Sequence, residues 1–470
     1  MSKEKTYVED IDRSLYDFRY NEDASSMLES GITDEIIREI SREKGDPEWM
    51  LDFRLKALEI YNRMRMPDWG PSIEGLDMDR IVTYIRPKSR MNTRWEDVPD
   101  EIKETFERLG IPQAERESLA GVGAQYDSEL VYHNVRKEVA ESGVVYTDLE
   151  SAMHDERYAE MIKSHFMKLV PPTDHKFAAL HGAVWSGGSF VYVPKGVHLE
   201  IPLQSYFRLN AKGAGQFEHT LIILEEDSYL HFIEGCSAPK YYEASLHAGC
   251  VELYVGKGAT LRYSTIENWS KNMYNLNTKR AIVEENGKIE WVSGSFGSHV
   301  SYLYPMSILN GRKSRAEFTG ITFAGEGQNL DTGAKIVHNA PLTSSYMNTR
   351  SISKSGGIST FRSSVTINEK AEGSKSSVSC ESLMLDSISR SDTIPVMVVK
   401  TDKRDVGHEA RIGRISDEAV LYLMSRGLDE ASAKALIVSG FAENVSKELP
   451  LEYAVEMNNL ITLEMKGSIG

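Results

Sequence analysis

A chain of 470 residues, 41% hydrophobic and 26% charged, is long enough for two or three domains built around a large core. Its formal charge of -16, from 70 acidic against 54 basic residues, argues against a nucleic-acid groove. No apolar run approaches the roughly 20 residues that span a bilayer, the charged N-terminus is not a secretory signal, and three cysteines point to free thiols in a reducing cytoplasm.

Residues 1–170 read as mostly helical. Asp46-Pro47-Glu48 is a helix start: Asp46 caps, Pro47 suits the first turn and Glu48 the positive end of the dipole. Met50, Phe53, Ala57, Leu58 and Tyr61 follow as one apolar stripe. Asp97-Val98-Pro99-Asp100 opens a second helix that Gly110 closes. Residues 128–140 predict a third and residues 149–169 a fourth, stopped by Pro171-Pro172. Gly121-Val122-Gly123 reads as a loop, and with no third glycine it is not a phosphate cradle.

Residues 171–403 change to a period of two, in Phe190/Tyr192, Val251/Leu253/Val255, Leu261/Tyr263/Thr265 and Ile289/Trp291. Turn signals at Lys195-Gly196, Glu226-Asp227, Lys257-Gly258 and Asn286-Gly287 recur about every 30 residues, as in a solenoid. A sandwich or barrel would also give frequent turns, so the pattern leaves both open. Residues 404–470 return to a helical period. Ser416 caps a helix over 417–426 with Gly427 beyond it, Asp429 caps a second closed by Gly440, and Pro450 begins a third. Three short helices cannot hold a core of their own, so they must lean on the strands or on another protein.

Cys380 is the sharpest chemical candidate. Its flanks Ser376, Ser377, Ser379 and Glu381 are polar, a setting that favours a reactive thiolate over an inert core thiol. His408 and Glu409 follow where the strand pattern ends, and a thiolate, an imidazole and a carboxylate would hold an iron–sulfur unit less firmly than four thiolates. Cys236, at a glycine bend in Glu-Gly-Cys-Ser-Ala-Pro, is either a packed corner residue or a reactive thiol. Cys250 reads as packing. The histidines show no helical metal-binding spacing, which gives a zinc hydrolase little support. Gly373-Ser374-Lys375-Ser376 lacks the first glycine of a nucleotide loop, so any nucleotide energy comes from a partner. Arg312, Lys313 and Arg315 form a solvated basic turn, and acids in the strand region fall mostly at turns, unlike the clustered carboxylates of a carbohydrate-active β-helix enzyme.

Several segments in order resemble the SufB/SufD family of the Suf iron–sulfur cluster assembly machinery: Gly188-Ser-Phe-Val-Tyr-Val-Pro-Lys-Gly196, Ser205-Tyr-Phe-Arg-Leu-Asn210, Glu234-Gly-Cys-Ser-Ala-Pro239, Tyr263-Ser-Thr-Ile-Glu-Asn-Trp269 and Glu448-Leu-Pro-Leu-Glu-Tyr-Ala-Val455. The resemblance implies a right-handed parallel β-helix over 171–403, a helical N-terminal region over 1–170 and a small C-terminal helical bundle over 404–470 that docks SufC, an ABC-type ATPase. It implies a scaffold rather than an enzyme, paired with SufD or a second SufB-type chain and served by a sulfur donor protein, with no nucleic acid and no membrane. Cys236 would accept sulfur, Arg208, Asn210, Glu267, Trp269 and Lys279 would line its path, and Cys380, His408 and Glu409 would hold the transient iron–sulfur cluster. Two positions depart from the family: Gly407 stands where many members have an acid, and Glu267 replaces a glutamine. The thiol at Cys380 favours the scaffold branch over a SufD-like structural subunit. Some members' complexes bind reduced flavin, which no residue here supports.

Overall fold

The computed structural model describes residues 26–86, 92, 97, 98, 100, 103, 119–239, 243–449 and 451–466. Its organising device is a stack of corners. Gly196, Asp227, Gly258, Asn286, Lys313, Leu342 and Gly373 all have φ between 55° and 72°, a left-handed backbone that Gly, Asn and Asp adopt at little cost. Each corner amide donates to a carbonyl in the corner of the next coil, as in Gly196 N to Glu226 O at 2.9 Å, Asp227 N to Lys257 O at 2.8 Å and Gly373 N to Lys403 O at 2.7 Å. This ladder holds even Lys313 and Leu342 in the left-handed region, where their side chains gain nothing.

Between corners the strands stack in parallel. One wall is a ten-stranded sheet running inward from Arg404–Arg414 through Ser374–Met384, Ser344–Ser353, Arg315–Ala324, Lys288–Phe296, Thr260–Asn268, Tyr229–Ser237 and His198–Arg208 to Gly121–Tyr126, with Glu129–Val135 added antiparallel at the end. The facing wall includes Ser189–Val193, His219–Leu224, Cys250–Val255, Thr278–Val283, Asn329–His338, Ile358–Ile367 and Arg390–Val399. The result is a parallel β-solenoid of about 8 turns, which settles the choice the turn spacing left open. Leu230, Phe232, Leu261, Tyr263, Ile289, Trp291, Phe318, Met347 and Val378 fill its interior, each worth roughly 1.5–3 kcal/mol of burial.

The C-terminal helices Asp417–Ser425, Glu430–Ser446 and Leu451–Lys466 do lean on the strands. Val438, Ala442, Val445, Tyr453, Met457 and Leu460 pack on the outer face of the ten-stranded sheet, against Ile233, Ile266, Phe296, Ile321, Phe323 and Ile352. At the other end, helices Asp34–Lys44, Glu48–Arg63 and Lys176–Val184 cover the first coils. Arg54 pins them: its Nε reaches Asp46 at 2.7 Å, and its Nη1 donates to the carbonyls of Ala183 and Trp185 at 3.2 and 2.9 Å.

Several sequence expectations need correction. Residues 404–414 are the last strand of the solenoid, not the start of the helical region; their charged run is that of an exposed edge strand. The third predicted helix is mostly the strand Glu129–Val135, followed by the single turn Lys137–Glu141, and Gly121-Val122-Gly123 lies in a buried strand. The fourth divides into Leu149–His154 and Ala159–His165. Asp46 does not cap; it is spent on Arg54, and Pro47 occupies the cap position. The second C-terminal helix runs through an exposed Gly440 to Ser446, because Val438, Ala442 and Val445 on either side of it pack on the sheet. The helix expected from Asp97 to Gly110 lies largely outside the described residues. The stripe of Met50, Ala57, Leu58 and Tyr61 is buried as expected, and Ser416 and Asp429 cap their helices.

Candidate functional site

Strand alternation decides which side chains enter the solenoid. Cys236 pairs in register with Glu267, and the same row continues through Ser295, Thr322, Ser351 and Ser382. Two residues earlier on each strand, a second row runs Glu234, Thr265, Ser293, Gly320, Thr349 and Cys380. A shift of two keeps the face. Both cysteines therefore point into the interior from one sheet, five strands apart, which is about 24 Å at the usual inter-strand spacing. Between them Ser293, Gly320, Thr322, Thr349, Ser351 and Ser382 line a cavity of about 20 Å³, room for little more than one water.

Around Cys236 the interior is ionic. Lys279 Nζ donates to Glu234 Oε1 at 2.7 Å and to Thr265 Oγ1 at 3.0 Å, and lies 3.8 Å from Glu267. The Tyr263 hydroxyl donates to the other Glu234 oxygen. Asn275 Nδ2 donates to Glu267 at 2.7 Å, and its Oδ1 meets His247 Nδ1 at 2.8 Å. His247 Nε2 closes the chain on Glu218 at 2.5 Å, with the Trp269 ring 4.6 Å away. Gly249 is required beside this pair, since a Cβ there would lie 2.4 Å from the Glu218 carboxylate.

This network sets the protonation states. Burial pushes the Cys236 thiol well up, and the Glu234, Glu267 and Glu218 carboxylates add to it, while Lys279 opposes. Burial alone would lower the Lys279 ammonium, but Glu234 and Glu267 more than offset it and leave it raised. His247 is likewise raised, Glu218 outweighing desolvation. Burial raises the Glu267 carboxyl against the pull of Lys279 and His247. Arg208 donates to Ser237 Oγ at 2.9 Å beside the Cys236 strand, and the Asn210 amide donates to Asp127 at 2.7 Å. Arg208, Asn210, Glu267, Trp269 and Lys279 are thus all buried within about two coils of Cys236.

Cys380 differs from its expected setting. Its polar flanks suggested exposure, yet it is 2% exposed, with Sγ 3.3 Å from Thr393 Oγ1 across the coil. Burial raises its thiol and Glu381 adds a little, while the Thr393 hydroxyl lowers it. Its strand is one removed from the end of the solenoid, where Arg390–Val399 and Arg404–Arg414 each have one unpaired edge among the described residues. His408 pairs with Val378 and so shares the interior face with Cys380, and its Nε2 is buried with no partner among the described residues. Glu409 pairs with Ser379 and faces outward, bonded to Arg411 at 2.7 Å, which in turn approaches Glu381. Adjacent strand residues point to opposite faces, so His408 lies on the Cys380 face, two residues along from the register partner Ala410, and Glu409 lies outside.

Glu218, Glu234, His247, Tyr263 and Asn275 were missed as functional groups. Their signal was in the chain: Glu234–Tyr263 and Glu218–His247 are 29 residues apart and His247–Asn275 28, one coil each.

The comparisons agree with this architecture. A family profile described as the SUF system FeS cluster assembly, SufBD core domain, matches residues 207–441, and one described as the SufBD protein N-terminal region matches residues 38–205. The iron–sulfur cluster assembly protein SufB of Bacillus subtilis (strain 168) is 50% identical over 461 residues, 98% of this chain and 99% of the relative. An iron–sulfur cluster assembly SufBD family protein of Staphylococcus aureus (strain MRSA252) is 50% identical over 457 residues, 97% of this chain and 98% of the relative. With two profiles matching residues 38–205 and 207–441 and a relative 50% identical over 98% of the chain, the chain belongs to the SufB/SufD family of iron–sulfur cluster assembly proteins.

Proposed function

We propose that this chain is the scaffold on which a cluster is built, taking sulfur at Cys236 and forming the nascent cluster at Cys380. The observation that carries the reading is the shared interior face: two thiols on one sheet with two rows of mostly hydroxyl side chains between them, and with Leu303, Phe318 and Phe361 lining the same cavity. Sulfur loading is persulfide exchange. The Cys236 thiolate attacks the outer sulfur of a donor protein's persulfide, and the donor leaves as a thiolate. At about 24 Å the two cysteines cannot exchange directly. A hydrosulfide ion attacking the outer sulfur of the Cys236 persulfide frees that thiolate and carries the sulfur as hydrogen disulfide. Attack by the Cys380 thiolate on that species forms its persulfide and regenerates hydrosulfide. The serine and threonine hydroxyls hydrogen-bond the hydrogen disulfide on its way and the hydrosulfide ion that returns, and Lys279 balances the charge at the start.

Iron, as cargo, meets Cys380 and His408 at the open end. Ile394 (37% exposed), Val396 (44%) and Ile412 (47%) are exposed there on edge strands, and an exposed apolar edge invites pairing. SufD or a second copy of this chain would cover it and supply the ligands that Glu409 does not. Leu421 (63% exposed), Tyr422 (59%) and Leu436 (54%) on the C-terminal helices are the docking face for the SufC ATPase, whose motion opens that seam. The test is Cys380→Ser in the co-expressed complex. Anaerobic reconstitution with iron and sulfide should leave this variant colourless while fold and ATPase co-elution persist; a normal cluster yield overturns the assignment.

A further inference from the structure

Away from the two scaffold cysteines lies a second cluster of soft ligands. His181 on the helix Lys176–Val184, and His219 and Cys250 at the starts of two neighbouring strands, have ring nitrogens and sulfur within 4.8 Å of one another, and all three are buried. His219 and Cys250 are direct register partners.

Counting hydrogens exposes a conflict. Glu252 accepts backbone N–H bonds from Met167, Leu169 and Val170 at 2.6–2.9 Å, so it is an acceptor-only carboxylate, and its contact with His219 Nε2 at 3.2 Å needs the proton on that nitrogen. The Ala248 carbonyl can only accept, so His181 Nδ1, 3.0 Å away, carries its ring proton. With both rings neutral, His219 Nδ1 and His181 Nε2 face each other at 3.0 Å with a lone pair each. Something positive must sit between them. A third proton would make an imidazolium in a site that is at most 1% exposed. A cation shared by both rings and the Cys250 thiolate resolves the conflict without one.

We propose that His181 Nε2, His219 Nδ1 and Cys250 Sγ bind one borderline-soft divalent metal ion of the zinc class, separate from the cluster-building site. The second shell is of the kind such sites use: each histidine gives its other N–H to a carboxylate or a backbone carbonyl, fixing the tautomer that ligates. Nitrogens bound tetrahedrally at about 2.0–2.1 Å lie roughly 3.3 Å apart, close to the separation seen. Charge also balances, because a divalent ion meets one thiolate and the Glu252 carboxylate. The other charges nearby are already paired, Arg54 with Asp46 and Arg280 with Asp174. The ion would staple the helix Lys176–Val184 to the first coils.

Purified full-length chain, stripped with a chelator, tests this with Co²⁺ and then Zn²⁺. One Co²⁺ per chain should bind with the intense visible bands of low-coordinate cobalt, a solvent-derived ligand completing the three protein donors, and with a thiolate charge-transfer band. Cys250→Ser should remove the charge-transfer band, whereas Cys236→Ser and Cys380→Ser should keep it. Zn²⁺ should raise the unfolding temperature of the unsubstituted chain but not of Cys250→Ser, a comparison that stands even if a histidine variant fails to fold. Metal analysis of the unstripped chain identifies zinc or iron as the resident ion. A cobalt spectrum unchanged by Cys250→Ser, a charge-transfer band lost instead with Cys236→Ser or Cys380→Ser, or no uptake at all overturns the proposal and leaves the cluster-building reading untouched.

Discussion

At the scale of single residues, Lys279 holds the most charge in place. It is the buried cation between Glu234 and Glu267. Removing one partner of a buried ionic group leaves the other uncompensated, so Lys279→Ala should destabilise the chain by about 3–5 kcal/mol in a denaturant titration. Sulfur loading should fall with it, because a persulfide anion at Cys236 would face the carboxylates unbalanced. The buried Glu267 is accommodated by the Asn275 amide and Lys279. Cys236 itself is pushed up by burial and by three carboxylates. Its alkylation by iodoacetamide in the free chain should therefore be far slower than that of an exposed cysteine at neutral pH, and should climb only in alkaline solution. Rapid alkylation at pH 7 would show that the thiolate is populated and that the donor need not activate it.

Elements explain how so buried a thiol is reached and how the partners bind. Cys236 packs beneath Val82 and Ile85, which belong to an N-terminal segment held by short contacts such as Val82 N to Gly213 O at 3.1 Å. Ile85→Ser should loosen that cover and speed Cys236 alkylation several-fold, with Cys380 as the unaffected control. The C-terminal helices offer the opposite case, an apolar face with nothing on it among the described residues. Because Leu421 and Leu436 are more than half exposed, Leu421→Asp with Leu436→Asp should change stability by no more than about 0.5 kcal/mol each. The same pair should abolish co-elution with a SufC ATPase, and retained binding would move the docking site elsewhere.

For the whole molecule, the interior polar groups make stability depend on pH. Burial holds the His133, His231 and His338 imidazoles down at about 4. The unfolded chain takes up these protons near 6.5, so the stability each provides is complete above that value and is lost as pH falls towards 4. Each contributes on the order of 3 kcal/mol over that window. Asp127 runs the other way. Burial pushes it up to about 6, against the Ala211 and Asn210 amides and Arg208, so its penalty is relieved as pH drops below that value, offsetting one of the three. The unfolding temperature should fall between pH 6.5 and 4, and His338→Gln, which keeps a polar group between Thr343 and Ser345, should flatten part of that slope.

Local chemistry was legible directly: the helix caps Ser416 and Asp429, the amphipathic stripe from Met50 to Tyr61, and the recurring corners from Gly196 to Asn286 are all contained in short windows. The corner period also held the interior pairs, since contacts such as Ser351–Ser382 at 31 residues recur one coil apart, but a period names no face. Facing belongs to the tertiary structure. Strand register turned Cys236 and Cys380 to the same interior, turned Glu409 away from His408, and made residues 404–414 an edge strand instead of a helix. The His181–His219–Cys250 cluster shows the same divide at its sharpest, because its ligands come from a helix and two coils that only folding brings together. Side-chain direction in a solenoid is a property of how coils stack, and no stretch of chain shorter than two coils contains it.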